Sequence, residues 1–83
     1  MIELKEAAEL YKNKYPYHII DMIIDVGDEW VFSVLDSETH QPLDSLPLSI
    51  NKQNGEFHVF FPPANVAKMK TAKYIHWEGK CQT

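Results

Sequence analysis

The feature that most constrains this chain is a change of hydrophobic period at Tyr15-Pro16. Before it, Leu4, Ala7, Ala8 and Tyr11 fall at i, i+3, i+4 and i+7, one apolar stripe at helical spacing. Ala, Leu, Glu and Lys dominate the segment, and all are good helix formers. The residue before a proline is driven out of the helical region, so the pair ends the element. The spacing predicts a helix over residues 3–14. After the break the period falls to two, the spacing of strands. A helix this short is marginal alone in water, so its stripe must lie on the sheet that follows. The expected contacts are Trp30, Phe32, Ile50 and Val59.

Over residues 18–26, Ile20, Met22, Ile24 and Val26 alternate with Ile19, Asp21, Ile23 and Asp25; over 30–35, Trp30, Phe32 and Val34 alternate with Val31, Ser33 and Leu35. Gly27-Asp28 between them suits a tight hairpin. Residues 36–44 are polar and contain Pro42, which predicts a loop. Leu46, Leu48 and Ile50 then alternate with Pro47, Ser49 and Asn51, and Phe57, Val59 and Phe61 with His58 and Phe60. A two-residue Asn54-Gly55 turn would set Lys52 opposite Phe57. A four-residue turn pairs Asn51 with Glu56 and sets Ile50 against Phe57, Leu48 against Val59, and Leu46 against Phe61. The second register matches three apolar pairs and is the expected one. It places Gly55 in the left-handed region, where a Cβ is costly.

Pro62-Pro63 stops the fourth strand. Beyond it, Val66 and Met69 suggest a helical turn, and residues 73–78 an edge strand or more helix. With 83 residues and no dividing linker, the expectation is one α+β domain over 1–83. An N-terminal helix packs on a four-stranded, mainly antiparallel sheet, with a short helical turn or edge strand at the C-terminus.

Charge is unevenly spread. The net charge is −4, yet Asp21, Asp25, Asp28, Glu29, Asp36, Glu38 and Asp44 lie in a stretch whose only basic residues are His18 and His40. The tail carries Lys68, Lys70, Lys73 and Lys80 against Glu78. An acidic middle either only keeps the chain soluble or steers a basic partner. All eight cations are lysine. Base-edge and phosphate recognition favours the guanidinium fork, so no nucleic-acid partner is expected. No apolar run approaches the roughly 20 residues of a membrane span, so no membrane partner is expected either. The first residues lack the basic start and apolar run of a signal peptide, and Cys81 has no second cysteine to bridge. A reducing, cytoplasmic location follows as the expectation.

No catalytic constellation is legible. His18, His40, His58 and His76 lack the spacing of a zinc helix, and Gly27, Gly55 and Gly79 each stand alone. Asp21 and Asp25 are roughly 13 Å apart along a strand, too far for a glycosidase pair. The serines lack a nucleophile elbow. Neither metal, cofactor nor catalytic residue is expected. Phe60 falls on the face opposite Phe57, Val59 and Phe61. Either the tail covers it, since Tyr74, Ile75 and Trp77 need partners, or it belongs to a protein-binding patch.

The element order, Ala7-Ala8 in the helix, the aromatic-led Trp30-Val31-Phe32 strand, and Pro47, Leu48, Ile50, Asn51, Lys52 and Gly55 together resemble the bacterial immunity protein 35 family. The resemblance spans residues 2–61; Ser45-Leu46 ahead of the proline and the tail after Pro63 depart from it. It implies a protein that neutralises a polymorphic toxin by direct binding in the producing cell's cytoplasm, with no catalytic residue. The expected partner is a basic toxin domain, and the expected contact residues are Asp28, Glu29, Asp36, Glu38, Asp44 and Phe60. The chain would act as a monomer or small homo-oligomer. A small chaperone-like or stress protein with several clients is the alternative.

Overall fold

The computed structural model describes residues 1–42 and 46–76. Its elements are α1 (Leu4–Lys14), β1 (His18–Asp25), β2 (Glu29–Asp36), β3 (Leu48–Asn51), β4 (Phe57–Val59), a 3-10 turn (Pro62–Asn65), α2 (Val66–Lys70) and β5 (Lys73–His76). The fold is α+β, as expected, but the sheet has five antiparallel strands in the order β4-β3-β2-β1-β5. The tail forms both a helical turn and an edge strand. Its chain crosses the sheet through the turn and α2, then pairs with β1.

The helix lies on one face of the sheet. Ala7, Ala8 and Tyr11 are buried there with Ile20, Ile23, Trp30, Phe32 and Ile50. Tyr11 stacks on Phe32, with ring centroids 4.8 Å apart. Val59 does not join this core: it is 62% exposed. Phe57 is the β4 residue that meets α1, its ring centroid 6.4 Å from that of Tyr11, while Val59 lies two residues further along this edge strand.

A bulge in β1 corrects the expected alternation. Ile20 pairs with Val34 and Met22 with Ser33, so Asp21 is the extra residue. One inserted residue exchanges the faces downstream. Ile20 and Ile23 therefore share the helix face, while Ile24 and Val26 turn to the other. There Val26, Val31 and Phe60 form a second, smaller core, flanked by Ile24, Met69 and Ala72.

The second hairpin has the expected register: Leu48 opposes Val59 and Ile50 opposes Phe57. The Asn51 amide donates to the Glu56 carbonyl at 2.9 Å. Beyond Leu48 the named ladder ends, and Leu46 and Phe61 are each about half exposed. Gly55 sits at φ +74°, and a Cβ there would lie 2.7 Å from Ile2 Cδ1. Gly55→Val is expected to cost on the order of 1–2 kcal/mol from the backbone alone. In a domain this small each kcal/mol lowers the melting temperature by roughly 4–8 °C. A thermal scan showing no change would contradict the turn geometry.

The N-terminus is tied to this hairpin and to β2. Trp30 Nε1 donates to the Ile2 carbonyl at 3.0 Å, and the Ile2 amide donates to the Lys52 carbonyl. Lys52 itself is only 8% exposed. Its ammonium bonds Asp25 at 2.7 Å and lies 4.1 Å from the Trp30 ring centroid. The Lys52 hydrogen bond holds the Asp25 carboxyl below its ordinary pKa, and the Gly27 amide adds to the effect.

Candidate partner-binding surface

The acidic residues grouped by sequence are divided by the fold. β2 runs eight residues from Glu29 to Asp36. At about 3.3 Å per residue its ends lie roughly 23 Å apart. Asp25, Asp28 and Glu29 are at the tip of the β1–β2 hairpin; Asp36 and Glu38 are at the opposite end.

At the hairpin tip the charges are internally matched. Lys68 donates to Glu29 at 2.8 Å and to Asp28 at 3.2 Å, and both carboxylates raise its pKa, Glu29 the more. The Ser49 hydroxyl also donates to Glu29, whose side chain is only 14% exposed. Asp25 is held by Lys52 and sits opposite Lys73 of β5. Three carboxylates thus meet three lysines. Glu29 is committed to α2 and β3 rather than to an outside partner. Asp28 remains largely exposed but shares the same lysine.

Phe60 requires a correction. It is 2% exposed, packed with Val31 and Val26 beneath the α2 segment, so it is a core side chain and not an exposed contact. The tail does cover it, but through Met69 and Ala72 rather than Tyr74, which is exposed, or Ile75, which packs on the helix-side core. Asp44 and Trp77 lie outside the described residues.

The other end of the sheet is different. The Asp36 carboxylate accepts from the amides of Glu38 at 2.8 Å and Thr39 at 3.1 Å. These bonds hold its carboxyl below the ordinary pKa, so it is ionised at neutral pH. The Asp36 amide donates to Gln41, and the Leu35–Pro42 bridge closes the loop, with His40 at φ 58°. Among the described residues no lysine pairs with Asp36 or Glu38. The Ser37 amide donates to the Tyr17 carbonyl, which sets Tyr17, 78% exposed, against the acidic loop. Sequence periodicity does not mark Tyr17, since it follows Pro16 and precedes the first alternating residue.

Behind the loop the aromatic groups are fixed. The Tyr11 hydroxyl and His18 Nδ1 share a hydrogen bond of 2.9 Å, and His18 stacks on Tyr15 with rings 5.1 Å apart and nearly parallel. Burial, with Tyr15 adding, pushes the Tyr11 hydroxyl up to about 12, so it stays protonated and neutral. Lys12 donates to the His18 carbonyl at 2.7 Å.

Among the described residues, no group of three or more His, Cys, Asp or Glu is placed to hold a metal, and no helix is long and apolar enough to cross a membrane. In comparisons with protein-family models, curated proteins and solved structures, the chain matches none.

Proposed function

We propose that this protein is a non-catalytic binding module that captures a basic toxin domain in the cytoplasm, as its resemblance to the immunity protein 35 family implies. The observation that supports this reading is the loop end of the sheet. There an exposed tyrosine stands beside two carboxylates, Asp36 and Glu38, that no described lysine neutralises. Tyrosine contributes large contact area at low entropic cost, and a polar rim around it is the usual composition of a hot spot. Uncompensated carboxylates accelerate the encounter with a basic partner. The contact surface proposed from the acidic stretch as a whole thus contracts to Asp36, Glu38 and Tyr17.

The experiment is to express the product of the neighbouring gene in a test cell with and without this protein, then titrate the purified pair. Loss of toxicity, with the partner's activity abolished at one equivalent, is the expected result. Failure to suppress toxicity or to form a discrete complex would contradict it. Protection of several unrelated unfolded proteins instead would establish the chaperone-like alternative.

A further inference from the structure

The loop end also carries a cavity of about 630 Å³ that the acidic charges alone do not explain. Its walls are mostly apolar and come from both sides of the sheet, Tyr15, His18 and Val34 from the helix side and Val31, Phe60 and Met69 from the smaller core under α2. Pro42, whose bridge to Leu35 closes the Asp36 loop, lines it too, so cavity and carboxylates are neighbours. His18 Nδ1 is already engaged by Tyr11, and the His18 ring is stacked on Tyr15. The wall therefore presents fixed ring faces. At the mouth, Leu46 is 47% and Val59 62% exposed, which extends the apolar surface outward. The volume falls in the range of pockets that bury most of a ligand's surface.

We propose that this cavity receives an apolar, preferably aromatic, side chain from a partner segment in which that residue is flanked by lysine or arginine, the cations lying against Asp36 and Glu38. The inference rests on the partner-binding reading above and names the chemistry of the segment recognised. Charge complementarity selects this occupant: an acidic segment would be repelled at the rim, and a basic segment without the apolar side chain would leave the cavity unfilled.

The test uses three capped pentapeptides, Lys-Lys-Phe-Lys-Lys, Lys-Lys-Ser-Lys-Lys and Glu-Glu-Phe-Glu-Glu, titrated into nitrogen-15-labelled protein at low salt. Saturable amide shifts at Val34, Leu48 and Glu38 are expected for the first peptide. The other two should bind about tenfold more weakly or not at all, the serine peptide because it forgoes the burial of one aromatic ring. Val59→Lys, at an exposed position, should abolish the shifts while leaving the remaining spectrum in place. Asp28→Asn, at the far hairpin tip, should leave binding unchanged. Equal binding of the phenylalanine and serine peptides, or shifts centred on the Asp28 hairpin tip, would overturn the proposal. Separate outcomes test the two readings. A cognate partner whose affinity survives Val59→Lys would sink the cavity and leave the partner-binding reading standing. Peptide selectivity as expected, with no toxin neutralised, would do the reverse.

Discussion

Ala8→Glu is expected to abolish folding at neutral pH. Ala8 is buried where α1 meets the sheet, in the cluster with Ile23, Phe32 and Ile50. A carboxyl placed there must be protonated to avoid an unpaired buried charge. From an ordinary glutamate pKa, protonation at pH 7 costs about 4 kcal/mol. The added atoms in a packed core cost about 1–3 kcal/mol more. Domains of this length have a total stability of roughly 4–12 kcal/mol. The sum is comparable with the whole. Glu9→Ala, one residue along and exposed, should change stability by no more than about 0.5 kcal/mol. Urea titration of both variants checks the assignment. Two equally mild effects would mean that the stripe does not face the sheet.

Lys52→Met carries the second large effect, about 2–4 kcal/mol. Methionine retains an apolar stem over Trp30 but removes the charge that Asp25 meets at 2.7 Å. Asp25 is a quarter exposed, so water offsets part of the penalty that a fully enclosed orphan would incur. The pH dependence has a definite sign. The Asp25 carboxyl is lowered, so its contribution is fully present above the ordinary carboxylate range near 4. It is lost as pH falls through the folded-state value. The stability gap between the two proteins should therefore be widest above about pH 5 and narrow on acidification below about pH 4. Urea midpoints measured across that range check it, and a gap that stays constant would contradict the Lys52–Asp25 pairing.

Much of this architecture is legible in the residues before any coordinates. Leu4, Ala7, Ala8 and Tyr11 announce α1, and three apolar matches select the register of the β3–β4 hairpin. The bulge at Asp21 escapes such reasoning because Ile19-Ile20 and Met22-Ile23-Ile24 supply apolar residues to both faces. Either face assignment then satisfies the pattern, and packing under α1 decides. The tail escapes it for another reason. α2 has five residues and β5 has four, too short for periodicity to speak, and both depend on surfaces made by distant segments.

Charge is the sharpest case. Seven acids within one stretch suggest one acidic face, but an eight-residue strand separates two groups of them. Lys52 and Lys68, distant in sequence, neutralise the nearer group. Tyr17 acquires its meaning only from the Ser37 hydrogen bond that places it beside the loop.

The most direct test of the central claim compares the two ends of that strand against the same partner. Association rates of the neutralised toxin domain would be measured across a range of salt concentrations for three proteins: wild type, the double variant Asp36→Asn/Glu38→Gln, and Asp28→Asn. Asparagine at position 36 keeps an oxygen to accept the loop amides, so the loop should survive the loss of charge. The double variant should associate more slowly at low salt and lose most of its salt dependence, while Asp28→Asn behaves as wild type. A double variant with unchanged rates, or Asp28→Asn as the slow one, would contradict that claim and move the interface to the hairpin tip.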